Sequence, residues 1–408
     1  MVQNISLISA MESRDHFENG VSSKILTNRE NFEISQMFSK LGKKLMKMTY
    51  FYLAILILLF LLSCKERENN NSLPVIELEK VFEKNTKIKL SDFSSKIEII
   101  QLETSDDILI NRISNIVLSD KNIIIVHDNQ CSVFDLKGNF IRKISSRGQG
   151  PQEYITIRSI LLTDEIIRIF DRSKILAFNL SGEFLSSSKS YADGMAVTTM
   201  LDDHLYICVR PNLNGLEKNR ILFFNKEGVI VDSIPHQNQY KNPAGVTFVF
   251  PIAEVFMYRY NNAVHLKEMT NDTLFSVSAA MRLTPLYVMD VGRYTPKEDE
   301  RFQINSMNQS PFLQGKKVPI LFLETDSYFI MRFGNVGLSE DSHVIYNKST
   351  AALDYVVFQY GDEERNRFGK EFFSPAFLSE DKQVLISYET SVDINNDDNP
   401  ALVLVTLK

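Results

Sequence analysis

Tryptophan is absent from the 408-residue chain, although Phe (28) and Tyr (15) are plentiful. That excludes repeat families whose units are keyed by a Trp, including the WD type and the sialidase-type Asp-box, and it weakens a sugar-stacking platform. Cysteine is nearly as scarce: Cys64, Cys131 and Cys208. Cys131 and Cys208 each sit inside an apolar run, where a free thiol packs as a small hydrophobe; a disulfide between them stays open. The net charge of -6 is spread along the chain with no long basic stretch in its body, so there is no electrostatic footprint for nucleic acid. The six His residues form no HExxH or other close pair, there is no GxSxG elbow, and no Cys or Ser stands beside a His and a carboxylate in a recognisable motif. No catalytic residue, metal ligand or cofactor is therefore assigned. The stretch DINNDDNP over residues 393–400 starts like a calcium loop but has Asp398 where Gly is required and Leu404 where Glu should be, and reads as a solvated hairpin turn. His127 and Asp128 fall at the end of a strand and its turn, where a turn-capping role is expected.

What is present begins with an apolar run, FYLAILILLFLL over residues 51–62, behind Lys40, Lys43, Lys44 and Lys47. It is shorter than the roughly 20 residues that span a bilayer, so it reads as the core of a signal peptide and not as a permanent anchor. The run ends in LLSC, residues 61–64, followed by the polar KERENNNS. This ending resembles a bacterial lipobox, with Leu62 where a smaller residue is usual. The resemblance implies cleavage before Cys64 and a thiol carrying diacylglycerol, completed by a palmitate-type acyl chain. More than one acyl chain is needed for stable anchoring, because each buried methylene contributes only about 0.8 kcal/mol. KERE after the Cys resembles the charged signal that sends some Bacteroidota lipoproteins to the cell surface. Residues 1–45 do not fit an n-region, and Met46 stands where a start would give an ordinary precursor. The expected organisation is an N-terminal extension over 1–45 from an early start, a lipoprotein signal peptide over 46–63, a flexible tether over 64–85 and a folded domain over 86–408. With 44% hydrophobic and 24% charged residues, a packed domain is expected.

That domain shows short apolar strands separated by Gly, Asn and Asp turns. Three segments align: IIIVHDNQCSVFDLKGNFIRKI from Ile123, IRIFDRSKILAFNLSGEFLSSS from Ile167, and NRILFFNKEGVIVDSI from Asn219. In each, a strand meets a polar turn closing on Gly138, Gly182 or Gly228, and a second strand follows. The last turn residue of such a hairpin needs positive φ, which Gly supplies without steric cost. Gly138 and Gly182 are 44 residues apart, Gly182 and Gly228 46. A hairpin period in the forties marks the blade of a β-propeller. Later segments from Met269, Ser342 and Lys382 keep the texture without the Gly. Residues near 290–320 have helical potential and read as an insertion on one face. Six blades fit the length. Placing KIEIIQLET at residues 96–104 and NPALVLVTLK at the C-terminus in one blade closes the ring and removes an open edge.

RGQGPQEY, from Arg147 to Tyr154, resembles the inter-blade signature shared by NHL-type repeats and by the six-bladed β-propeller lipoproteins of Bacteroidota, an NHL/TolB-like group. TNDTLFSVSAAMRLTPLYVMDVGRY resembles a later blade of the same lipoproteins, and Gln152 departs from their usual GPGEY. The resemblance implies an all-β, six-bladed propeller displayed in the cell envelope as an outer-membrane lipoprotein, facing the periplasm or the surface. In the signature, Gly148 and Gly150 permit tight turning, Pro151 stiffens the loop and Glu153 is expected to accept backbone amides of the neighbouring blade, so Arg147, Gly148, Gly150, Pro151, Glu153 and Tyr154 are expected to be architectural. The expected function is a non-catalytic binding or scaffolding module whose partners are the membrane, through the lipid on Cys64, and an unidentified envelope protein or glycan. The alternative is a propeller enzyme, a lactonase, lyase or glycan hydrolase, with its site in the central channel.

Overall fold

A computed structural model of the chain describes residues 37, 39–44, 72–82, 86–241, 253–302, 311–334, 342–390 and 398–408. Cys64, the signal peptide and residues 393–397 of the Asp-Asn stretch lie outside the described residues. The chain divides into two units, residues 1–72 and residues 73–408. In the first, residues 39–44 are helical and exposed. No helix among the described residues is long and apolar enough to cross a membrane.

The second unit is a six-bladed β-propeller. Blade 1 comprises Ile113–Leu118, Asn122–His127, Gln130–Asp135 and Phe140–Lys143, each antiparallel to the one before. Blade 2 repeats the meander with Ser159–Thr163, Ile166–Phe170, Lys174–Asn179 and Phe184–Lys189. Blade 3 uses Val197–Met200, Leu205–Val209, Asn219–Asn225 and Ile230–Pro235, and blade 4 uses Val255–Tyr260, Ala263–Glu268, Thr273–Val277 and Leu283–Asp290. Blade 5 follows with Val318–Glu324, Tyr328–Gly334, His343–Asn347 and Leu353–Gln359. Blade 6 takes Phe377–Leu378, Val384–Glu389 and Ala401–Leu407 from the C-terminus and its outermost strand, Ser94–Gln101, from the N-terminal side, with Ile99 opposite Val403. The ring therefore closes by the pairing that the two terminal strands foreshadow in sequence.

The core is divided among the seams between blades. Ile124 and Val126 pack toward blade 2 with Ile167 and Leu176, whereas Ile123 and Ile125 of the same strand pack toward blade 6 with Ile386 and Leu404. Successive side chains of a strand point to opposite faces, and both faces of a blade are covered. Runs such as Ile123 to Val126 are therefore apolar throughout instead of alternating with polar residues. What alternates is the seam each residue serves.

Asn399 locks the seam where the ring closes. Its Oδ1 accepts the amide of Ile110 at 2.7 Å, and its Nδ2 donates to the carbonyls of Glu103 (2.6 Å) and Ile108 (2.9 Å). Its own amide donates to Thr104 Oγ1 at 2.7 Å and its carbonyl accepts from Gln101 Nε2 at 2.6 Å. The side chain is buried, so this end of the Asp-Asn stretch is a structural clasp and not the solvated turn expected of it.

The flexible tether expected over 64–85 also ends early. Val75–Glu77 pairs in parallel with the outer strand of blade 4, with Ile76 opposite Met289, and Thr86–Lys89 pairs in parallel with the outer strand of blade 5. Ile76, Leu78 and Phe82 are buried in the seam between those blades. Leu73, Val75, Ile76, Leu78, Val81 and Phe82 give the strap an apolar content that the residues before it lack, and burying it outweighs the freedom of a linker.

Gly138, Gly182 and Gly228 have φ of +90°, +83° and +75°, as the hairpin turns require. In the divergent blades the corresponding turns place Met281 (φ 58°) and Ala351 (φ 56°) in the same left-handed region. A residue with a Cβ loses roughly 1–2 kcal/mol there, while Gly gives back about 0.5–1 kcal/mol in unfolded-state entropy. Ala351→Gly is accordingly expected to stabilise the chain by about 0.5–1 kcal/mol, read as a higher urea midpoint at unchanged slope; a lower midpoint would refute the strain.

The insertion forms three short 3-10 helices among the described residues, Gly292–Tyr294, Glu298–Phe302 and Pro311–Leu313. Arg301, almost fully buried, pins it to blade 4. Its Nη1 and Nη2 donate to Glu254 Oε1 (3.0 Å) and Oε2 (2.5 Å), its Nε lies 3.0 Å from Glu298, and its guanidinium covers the ring of Phe312.

Candidate functional site

The first strands of the blades and the turns that follow them line a cavity of about 640 Å³ at the centre of the ring, blade 5 contributing through its turn. Ligand sites commonly fall at roughly 300–1,000 Å³. Every blade contributes a polar side chain to the wall: Asn115, Thr163, Thr199, Arg259, Asp326 and Lys382, in blade order.

The local sequence explains how blade 4 delivers its pair. In VFMYRY, Val255 and Met257 pack toward blade 3, and Phe256 and Tyr258 toward blade 5. At the end of the strand Arg259 and Tyr260 reach the channel. Asn261 and Asn262 then turn the chain with φ of 47° and 60°. Two successive positive-φ residues make a type I′ turn, for which Asn is suited. In blade 6 the equivalent turn carries Glu380, Asp381 and Lys382, all on the channel wall.

Behind Tyr260 lies a buried polar network. Glu324 accepts from His265 Nδ1 at 2.6 Å, from the Tyr258 hydroxyl at 2.5 Å and from Lys348 Nζ at 2.5 Å. Lys348 also donates to the carbonyl of Thr325 (2.7 Å) and to the Tyr260 hydroxyl (3.3 Å), which donates to Asp326 Oδ1 at 3.1 Å. Burial pushes the Glu324 carboxyl up, but the bonds and charge of His265 and Lys348, with Tyr258, outweigh it and hold the group below its ordinary value. Burial, with Asp326 and Glu324, pushes the Tyr260 hydroxyl up to about 12, so it stays a neutral donor. This network fixes the ring of Tyr260 and the carboxylate of Asp326 at the channel.

Nη1 of Arg259 is buried and meets no hydrogen-bond partner among the described residues. Buried donors are almost always paired. Partial burial pushes Glu380 up to about 7; Asp120 and Asp381 add to the shift, and Lys382 and Arg259 oppose it. The residue keeps much of its surface in water, which screens these charges. Lys382 is held below the usual lysine range, chiefly by burial.

The signature loop stands apart from this channel and closes on itself. Gly148 N donates to the Tyr154 carbonyl (2.9 Å), Tyr154 N to Ser146 (3.2 Å), and Gly150 N to Glu153 Oε2 (2.8 Å). Glu153 thus accepts an amide of its own loop, not one of the neighbouring blade, because the chain folds back within three residues. A Cβ on Gly148 would meet that carboxylate at 2.0 Å and displace it, so glycine here makes room for Glu153 and does not serve a positive φ. Arg147 bridges to Tyr154, Pro151 is exposed, and the ring of Tyr154 fills the seam of blades 1 and 2. The only contact made to this loop by a blade-2 side chain among the described hydrogen bonds is Lys174 Nζ to the Gly150 carbonyl, 2.8 Å. His127 Nε2 pairs with Ser132 Oγ at 2.9 Å, and Asp128 Oδ2 caps the amide of Asn111 at 2.8 Å. Cys131 and Cys208 are free and buried in different seams, and burial pushes their thiols up to about 12 and about 11. Among the described residues no group of three or more His, Cys, Asp or Glu is placed to hold a metal ion.

Sequence reasoning missed Arg259, Tyr260, Asp326, Glu380 and Lys382. The available signal was positional: each lies at or just past the end of a first strand, where a charged or hydroxyl-bearing residue interrupts an apolar run. A smaller cavity, about 340 Å³, lies where the insertion meets blades 3 and 4, but its charges are mutually paired, Arg301 with Glu254 and Arg220 with Glu268.

A search of curated proteins returns no match. Among solved structures the chain is similar to a Bacteroides fragilis protein, BF0058, whose name records an inferred export, at 16% identity and a TM-score of 0.60, covering 80% of this chain and 98% of that one. It is similar also to a member of the DUF4221 family from Bacteroides vulgatus, at 10% identity and a TM-score of 0.47, covering 77% and 97%. At 16% identity the likeness to BF0058 bears on the fold alone. The family model described as a domain of unknown function, DUF4934, matches residues 73–406, from the start of the strap to the last strand of blade 6, and the chain belongs to that family.

Proposed function

We propose that this chain is a lipid-anchored binding module of the cell envelope that receives a polar ligand in its central channel and does not transform it. The carrying observation is the cavity of about 640 Å³ to which all six blades contribute a polar side chain. A rigid ring with its recognition groups at strand ends is the arrangement by which β scaffolds commonly bind. The buried carboxylate behind Tyr260, Glu324, is engaged by three donors and so serves to hold Tyr260 and Asp326. Anchoring is supported by the LLSC ending and the run before it.

Crosslinking in the native envelope tests the binding role. The unaltered chain should yield a reproducible adduct, and Thr163→Trp, which fills the channel from blade 2, should abolish it with the circular dichroism unchanged. An adduct that survives the filled channel would refute the reading. The anchor has its own test: labelled fatty acid should enter the chain and be lost completely in Cys64→Ala. Equal labelling of both would defeat it.

A further inference from the structure

We propose that the ligand of the channel is a carboxylate-bearing sugar whose carboxylate is seated on Arg259 beside Lys382. This rests on the channel being the binding site. Arg259 and Lys382 both line the cavity, from blades 4 and 6, and lie within each other's electrostatic reach. The planar guanidinium presents paired donors that match a carboxylate, and the buried Nη1 of Arg259 is left without a protein acceptor among the described residues. A rotamer change that turns the guanidinium into the channel lets an incoming carboxylate pair with it.

The remainder of the wall selects the rest of the molecule. Asn115, Ser159, Thr163, Thr199 and Asn261 offer neutral donors and acceptors around the cavity, the complement of a ring bearing hydroxyl groups. The same wall disfavours a dianion. Asp326, Glu380 and Asp381 also line the channel, so an anion is accepted only beside Arg259 and Lys382, and a phosphate dianion costs more to take out of water than a single carboxylate does. Glu380 faces Asp381 and Lys382 on its own turn, Asp120 on the turn of blade 1 and Arg259 on blade 4. When protonated it donates a hydrogen bond; when ionised it repels an anion. Binding is therefore stronger below than above the pKa of about 7 of Glu380.

Isothermal titration of the full chain in detergent tests the assignment with sodium D-glucuronate, D-glucose and inorganic phosphate, each on both sides of that pKa. Glucuronate should bind more tightly than either control and more weakly at the higher pH. Arg259→Gln should reduce its affinity at least tenfold, about 1.4 kcal/mol, and Arg259→Lys should restore part of the loss. If Arg259→Gln does not fold, Lys382→Gln should still weaken glucuronate severalfold while leaving glucose unchanged. Glucose binding equal to glucuronate, phosphate binding tighter than glucuronate, or glucuronate affinity indifferent to Arg259 would each overturn the assignment. So would no glucuronate binding; a channel-dependent crosslink in the envelope would then still uphold the binding module and refute only its ligand class.

Discussion

Asn399→Ala is expected to lower the stability of the folded chain by roughly 2–4 kcal/mol. The side chain satisfies three backbone groups, the amide of Ile110 and the carbonyls of Glu103 and Ile108, and is itself buried. Alanine would leave the Ile110 amide and the Glu103 carbonyl without their partner, while the Ile108 carbonyl keeps the amide of Ser105; each unpaired group costs about 1–3 kcal/mol, less than additively because the loop can relax. The position also matters topologically. It ties the loop before Ala401–Leu407 to the stretch that follows Ser94–Gln101, so both flanks of the ring-closing pair move if it fails. Asn399→Asp is a sharper control: it keeps the acceptor for Ile110 but removes both donors and buries a charge, and should be at least as damaging. Urea unfolding followed by circular dichroism gives the measurement. A loss below about 1 kcal/mol would show that the bonds are not maintained in solution.

Glu324→Gln should cost about 3 kcal/mol or more, because removing one member of a buried charged set leaves the others uncompensated. Lys348 is mostly buried and donates to this carboxylate, and His265 and Tyr258 donate to it as well. The pH dependence follows from the direction of the shift. Glu324 lies below the ordinary glutamate value of 4.5 in the folded chain, so its stabilisation is complete above 4.5 and is lost as the pH falls through the lower folded value. Acid denaturation of the native chain should therefore steepen below 4.5, and the Gln variant, already destabilised, should lack that step. Combining Glu324→Gln with Lys348→Met should cost less than the two changes added together. Strict additivity would mean that the pair is not coupled.

The fold was legible because the propeller repeats its hairpin three times with a glycine at the turn, at Gly138, Gly182 and Gly228. The terminal strands were legible for a different reason: KIEIIQLET and NPALVLVTLK each lacked a partner in its own repeat. The strap was not. Its apolar residues, Ile76, Leu78 and Phe82 among them, are too few and too irregularly spaced to mark a blade, and their partners, Met289 and the seam of blades 4 and 5, lie far along the chain. The channel was illegible for a related reason. Arg259, Asp326 and Lys382 meet only because six first strands converge on one axis, and nothing in the spacing of 259, 326 and 382 records that convergence. The signature loop misled in one detail: Glu153 could be recognised as an acceptor, but which amide it takes depends on a chain reversal three residues long.

The strap changes how load enters the protein. A pull applied at Leu73 is met first by Val75–Glu77 on blade 4, then by Thr86–Lys89 on blade 5, and only afterwards by Ser94–Gln101, which holds the ring closed. The first two contacts are short edge pairings that can be peeled and re-formed without opening the circle of blades. A propeller drawn taut from its N-terminal side would thus yield in steps, paying out length from a clasp at its rim before its channel deforms, and single-molecule extension should register two small releases ahead of the main rupture.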